Sequence, residues 1–252
     1  MIKFFFEAIA SDAVNPILTD LNLLIIGDSV GSGTSNGTVT VQNGILSEWD
    51  GASLNAVTTD IAGANTGTYV PKFAERINEV TGRKVNVIET AVGGAEFSPY
   101  LDNNNWSTLG TLYASMITKS NSFVNSTEKS IDYILIILGI NDSRGTTALA
   151  TIESDANSLI TRLNADFPNV PKLIYNTGRQ AGNYATNQRW LDVRNIITNG
   201  VDGLVETYPS VYLAGDLIND YGSSAFYDGL HLNQTANNQL GTDLANYIIT
   251  TF

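Results

Sequence analysis

The chain has 252 residues, 43% of them hydrophobic and 15% charged, which is the composition of a soluble globular protein with room for one large domain or two small ones. It has no cysteine and one histidine, so disulfides and thiolate chemistry are excluded and a structural zinc site lacks its ligands. The net charge of −12, with no cluster of Lys or Arg to offset it, disfavours nucleic acid and anionic membranes as partners.

The N-terminal stretch from Met1 to Ala10 has a faint signal-peptide look, but Glu7 interrupts an apolar run that is already short. No segment approaches the roughly 18–20 apolar residues of a membrane span. Residues 1–20 show no clear period, end on the turn signal Asn15-Pro16, and are read as an N-terminal extension. Leu21–Ile26 is the first expected strand. Thr38–Leu46 alternates β-branched residues around Asn43-Gly44 and reads as a short strand or hairpin. The weakly periodic region 34–68 as a whole is expected to be an elaborated loop, either a wall of a binding site or surface decoration.

Tyr69, Val70, Phe73, Ile77 and Val80 recur at helical spacing, with Gly82 as the stop. Val85–Ile88 is the next strand and runs into Ala91-Val92-Gly93-Gly94. Leu109, Leu112, Tyr113, Met116 and Ile117 predict a second helix. Ile131–Leu138 is apolar on both faces, as in a central parallel strand. Thr147 to Asp166 reads as a helix ended by Phe167-Pro168, and Lys172–Asn176 as a strand followed by a loop through Gly178-Arg179-Gln180. A helix from Gln188 to about Tyr208, broken near Gly200 and Gly203, a short strand Val211–Leu213 and a closing helix Thr235–Ile249 complete the chain. Strand–helix alternation over nearly the whole length predicts one α/β domain, 1–252, with a doubly wound, mainly parallel sheet. In such sheets ligands bind beyond the carboxyl ends of the strands. The loops Gly27-Asp28-Ser29, Gly93-Gly94, Gly139-Ile140-Asn141-Asp142 and the segment ending at His231 all follow expected strands.

Each of these segments has an ordinary explanation and a chemical one. Ser29 follows a buried apolar strand and sits in Gly27-Asp28-Ser29-Val30-Gly31, which places a hydroxyl at the rim of a sheet. A loop serine capping a helix would look the same. The pattern matches the nucleophile elbow G-x-S-x-G, but it stands too near the N-terminus for the fold in which that elbow occurs. Phosphate-loop and dinucleotide patterns fail: no Gly-Lys-Ser/Thr exists, and Gly31-x-Gly33 lacks the third glycine. Asp228-Gly229-Leu230-His231 puts a carboxylate and the chain's one imidazole three residues apart. In a helical or 3₁₀ turn the two would share a face, and the carboxylate could orient the ring while the ring takes a proton from serine. A surface ion pair would also account for the spacing. Asn141 can aim its amide at a developing oxyanion, or simply form a turn.

Taken together, in this order, the segments resemble the SGNH (GDSL) hydrolase family. Gly27-Asp28-Ser29 is similar to its first block, Gly139-Ile140-Asn141-Asp142 to its Gly-x-Asn-Asp block, and Asp228-Gly229-Leu230-His231 to its last block. The second block departs from the family pattern, with Glu89 standing where an asparagine is often found. By that alignment Gly94 is the oxyanion glycine, with Gly93 as the fallback. The resemblance covers roughly residues 21–250 and implies a three-layer α/β/α, flavodoxin-like fold. It implies a catalytic triad of Ser29, His231 and Asp228, and an oxyanion hole formed by the Ser29 and Gly94 N–H groups and the Asn141 amide. No cofactor and no metal are required.

The substrate class implied is a carboxylic ester, and polar residues in the presumed rim loops favour a short acyl ester on carbohydrate. Asn103, Asn104, Asn105, Trp106, Tyr100 and Tyr69 are the candidates to stack on or hydrogen-bond a sugar. Two alternatives stay open. One is a lipolytic esterase or thioesterase. The other is a carbohydrate-binding module of a larger cell-surface or phage-tail assembly. Compartment and oligomeric state are not legible in the residues.

Overall fold

The computed structural model describes residues 19–61, 67–99, 104–177, 188–198 and 203–252. The N-terminal extension up to residue 18, the loop Gly178-Arg179-Gln180, the break at Gly200, and the rim candidates Tyr100 and Asn103 lie outside these residues.

Among the described residues seven strands form one sheet in the order β3-β2-β4-β1-β5-β6-β7. They are β1 (Leu21–Gly27), β2 (Leu46–Trp49), β3 (Leu54–Ala56), β4 (Val85–Glu89), β5 (Tyr133–Ile137), β6 (Lys172–Asn176) and β7 (Val211–Asp216). Every pairing is parallel except β2 with β3, whose antiparallel ladder sets Ser47 against Ala56 and Trp49 against Leu54. The helices are α1 (Val70–Thr81), α2 (Leu112–Thr127), α3 (Leu149–Asp166), α4 (Gln188–Thr198), α5 (Leu204–Thr207), α6 (Leu217–Tyr221) and α7 (Gln234–Thr251). None of the helices among the described residues is long and apolar enough to cross a membrane.

The alternation of β1 shows how the layers arise. All seven of its residues are buried. Leu21, Leu23 and Ile25 face a core shared with Phe73 and Ile77 of α1 and Leu240, Leu244 and Ile248 of α7. Leu24 and Ile26 face the opposite core, with Met116 and Phe123 of α2, Leu159 and Ile160 of α3, and Val193 and Ile197 of α4. A strand hydrophobic on both faces needs a helical layer on each side, and the parallel crossovers supply them. The result is the expected three-layer α/β/α sandwich with β1 at its centre. The chain adds strands on one side of β1 and then on the other, so the carboxyl end of β1 is the switch point where such sheets bind ligands.

Three expectations change. The region 34–68 is more than a loop, because it contributes β2 and β3 to the sheet. The strand expected at Thr38–Leu46 begins only at Leu46. Val80 and Leu109, used as helix markers, are exposed, and α2 starts at Leu112. The short helix α6 and the 3₁₀ turn Ser223–Ala225 were not foreseen.

Candidate active site

Four loops meet at the carboxyl end of the sheet. The first leaves β1 at Gly27. A Cβ on that residue would lie 2.1 Å from the Ile137 carbonyl oxygen at the end of β5, so only glycine lets β1 end this close to its neighbour. The Asp28 N–H donates to the same carbonyl at 3.0 Å, and the loop turns outward with Ser29 at its tip. Two aromatic side chains hold it from beneath: the Trp106 indole N–H donates to the Gly27 carbonyl at 3.2 Å and the Tyr69 hydroxyl to the Gly31 carbonyl at 2.6 Å. Both are fully buried, which removes Tyr69 and Trp106 from the sugar-contacting rim; Asn105 is buried as well. Their role is to fix the serine loop.

The loop Phe226–Leu232 brings the partners of Ser29. It is closed by an antiparallel bridge between Phe226 and Leu232 and by the Tyr227 N–H donating to the His231 carbonyl at 3.1 Å. Ser29 Oγ lies 2.8 Å from His231 Nε2, and His231 Nδ1 lies 2.7 Å from Asp228 Oδ2. The Asp-x-x-His spacing works, but not through a helical turn. Gly229 takes φ +79, and Asp228 Oδ1 accepts from the N–H groups of Leu230 at 2.9 Å and His231 at 2.7 Å. Burial pulls the Asp228 carboxyl upward, but these two backbone N–H groups and the imidazole outweigh it and hold the group below its usual range. Asp228 is therefore ionised, and a carboxylate on Nδ1 fixes the tautomer whose bare Nε2 faces the serine hydroxyl.

The loop after β5 carries Asn141. It is buried, and its amide donates one hydrogen to the Ala95 carbonyl at 3.0 Å, leaving the second. Its neighbour Asp142 reaches across to the loop after β4, where Oδ2 accepts from the Phe97 N–H at 2.9 Å and Oδ1 from the Ser98 N–H at 3.3 Å. Two successive side chains thus tie the Asn141 loop to the Gly93-Gly94 loop. Neither the Gly94 nor the Ser29 N–H donates a hydrogen bond within the described residues. A Cβ on Gly93 would stand 4.0 Å from Ser29 Cβ; Gly94, at φ +80, has open space beside it.

Glu89 is the residue at which the second block departs from the family pattern. It is buried at the end of β4, and its Oε1 accepts from the Ala91 N–H at 2.8 Å. Burial drives its carboxyl well above the usual range. Asp28 and Asp142 are buried behind the serine as well. Burial lifts Asp28 to about 7 against the pull of the Val30 and Gly31 N–H groups, with Asp142 adding repulsion, and it lifts Asp142 to about 6. The Asp142 bridge and the buried supports were invisible in sequence, although the adjacency of Asp142 to Asn141 was the available signal.

A serine hydroxyl, an imidazole and a carboxylate in line at the switch point of a parallel α/β sheet are the parts of an acyl-transfer site. The comparisons with known proteins agree with that class. The family model described as "carbohydrate esterase, sialic acid-specific acetylesterase" matches residues 47–250. The chain belongs to this carbohydrate esterase family and is a carboxylic ester hydrolase acting on acetyl esters; Ser29 precedes the matched segment. Among curated proteins no sequence matches the chain.

Solved structures share the SGNH hydrolase fold. A protein of Arabidopsis thaliana superposes with TM-score 0.71 at 16% identity, over 92% of this chain and 99% of that one. NanS superposes with TM-score 0.70 at 10% identity, over 92% and 97%. A family 3 carbohydrate esterase from Talaromyces cellulolyticus gives 0.57 at 13% identity, over 91% and 97%.

Proposed function

We propose that the chain is a serine esterase in one domain that removes acetyl groups from sugars by two-step acyl transfer, with Ser29 as nucleophile, His231 as general base and acid, and Asp228 as its orienting carboxylate. The supporting observation is the continuous line Ser29 Oγ–His231 Nε2 at 2.8 Å and His231 Nδ1–Asp228 Oδ2 at 2.7 Å. Ser29 Oγ attacks the ester carbonyl as its proton passes to His231 Nε2. The tetrahedral oxyanion sits among the Ser29 N–H, the Gly94 N–H and the free amide hydrogen of Asn141. The imidazolium, stabilised by Asp228, protonates the departing sugar oxygen. Water then enters and attacks the acyl carbon as its proton passes to the same imidazole, which returns that proton to Ser29 Oγ as the acyl–oxygen bond breaks and acetate leaves. No residue in this sequence of steps needs a cofactor.

The test is hydrolysis of p-nitrophenyl acetate by the wild type and by Ser29→Ala at matched concentration. The wild type turns over, and the variant falls to background, a loss on the order of 10⁶ by the precedent of other triads. Equal activity in the two would remove Ser29 as the nucleophile, and equal inactivity would favour a carbohydrate-binding module. A series of acyl chain lengths separates an acetylesterase from a lipolytic enzyme or thioesterase, because rates fall with length only in the first case.

A further inference from the structure

The two most exposed aromatic side chains among the described residues are Phe252 at 50% and Tyr227 at 42%. Their surroundings differ. Phe252 lies by the amino ends of the strands, engaged by Tyr133 at 5.3 Å and Tyr212 at 5.0 Å between ring centroids. Tyr227 lies at the other end of the sheet, on the loop that carries His231. Its ring is stacked beside the imidazole, with centroids 6.1 Å apart and planes inclined by 26°. Its backbone N–H is fixed to the His231 carbonyl at 3.1 Å, so its position is tied to that of the histidine.

We infer that Tyr227 is the platform for the sugar ring that carries the acetyl ester, and that it determines preference for sugar esters over simple alkyl esters. The inference rests on the serine-esterase reading. His231 Nε2 must protonate the leaving oxygen, so the alcohol portion of the substrate has to sit against the imidazole. A pyranose ring attached to that oxygen is about as wide as the Tyr227–His231 separation and falls next to the exposed Tyr227 side chain. The axial C–H groups of a pyranose form an apolar face that suits an aromatic ring, while an ethyl or methyl alcohol is too small to reach it. Tyr69 and Trp106, the aromatic rim candidates of the sequence within the described residues, are buried beneath the serine loop, whereas Tyr227 is exposed beside the imidazole.

The test compares kcat/KM for an acetylated methyl pyranoside with that for ethyl acetate in the wild type, Tyr227→Ala, Tyr227→Leu, Tyr227→Phe and Tyr227→Trp. The ratio of the two values is read, because it is insensitive to how much of each preparation is folded. The ratio falls roughly ten-fold for Ala and Leu, chiefly through KM for the pyranoside, and stays within about two-fold of wild type for Phe and Trp. An unchanged ratio in Tyr227→Ala overturns the inference. So does a fall in Tyr227→Phe as large as that in Tyr227→Ala, which would assign recognition to the hydroxyl rather than the ring. Ser29→Ala run on ethyl acetate keeps the two readings apart: residual turnover there removes the nucleophile whatever Tyr227 does.

Discussion

The serine side and the histidine side of the site are built by opposite means. Ser29 is delivered by β1, buried along its whole length at the centre of the sheet, and its loop is seated on Ile137, Trp106 and Tyr69 with no room for a Cβ at Gly27. His231 and Asp228 are delivered by a surface loop held by one bridge and a few backbone hydrogen bonds, with the Asp228 side chain 38% exposed. On one side the geometry of the reacting atom comes from core packing; on the other it comes from local hydrogen bonding. Changes on the first side should therefore disturb stability and activity together, and changes on the second should separate them.

The sharpest form of that contrast pairs two variants. His231→Ala should lose turnover by several orders of magnitude, about 10⁶ if it behaves as in other triads, while its thermal midpoint stays within a few degrees of wild type. Gly27→Ala must displace the end of β1 or of β5 and take up a strained backbone, costing about 3 kcal/mol and lowering the midpoint by roughly 6–12 °C. Thermal melts of both, beside their rates on p-nitrophenyl acetate, check the pair. A large loss of stability in His231→Ala would break the comparison.

Asn141→Ala tests the middle ground. It removes the oxyanion donor proposed above and leaves the Ala95 carbonyl without its partner, so turnover should fall by about 10²–10³ with a smaller loss of stability. A loss in KM alone would instead make Asn141 a substrate contact.

The smallest effect is a pH dependence. Asp28, lifted to about 7, and Asp142, lifted to about 6, bind protons in the folded protein at pH values where the unfolded chain has released them. Stability contributed at these positions is greatest below about pH 4 and declines as pH rises through the interval up to about 7. Asp28→Asn keeps an acceptor for the Val30 N–H and removes the titration. Its unfolding free energy, measured by denaturant titration from pH 4 to 8, should fall less with rising pH than that of the wild type.

The sequence was most legible where hydrophobicity alone dictates structure. The apolar runs of β1, β5 and β6 need two helical layers, and Gly-Asp-Ser and Gly-Ile-Asn-Asp follow β1 and β5 as expected, while α6 and a 3₁₀ turn separate Asp-Gly-Leu-His from β7. It was least legible where tertiary contact overrides local preference. Leu46-Ser47-Glu48-Trp49 and Leu54-Asn55-Ala56 have little strand character of their own and exist as strands because the edge of β4 pairs with the first of them. Tyr69 and Trp106 resemble rim aromatics until the carbonyls of Gly31 and Gly27 are found above them. The turn type around Asp228 was misjudged because Gly229 adopts a backbone conformation that a helical turn cannot contain.

The hydroxyl and the imidazole that meet at 2.8 Å are separated by 202 positions in the chain. A ribosome presents Ser29 well before His231, with helices α1 to α6 of the described residues lying between them. The strands β1, β4 and β5 at the centre of the sheet are therefore made well before the residue proposed above as the base. On the mechanism proposed above, turnover appears only after all seven strands of the described residues have been made, so it would report assembly of the whole sheet rather than of its centre.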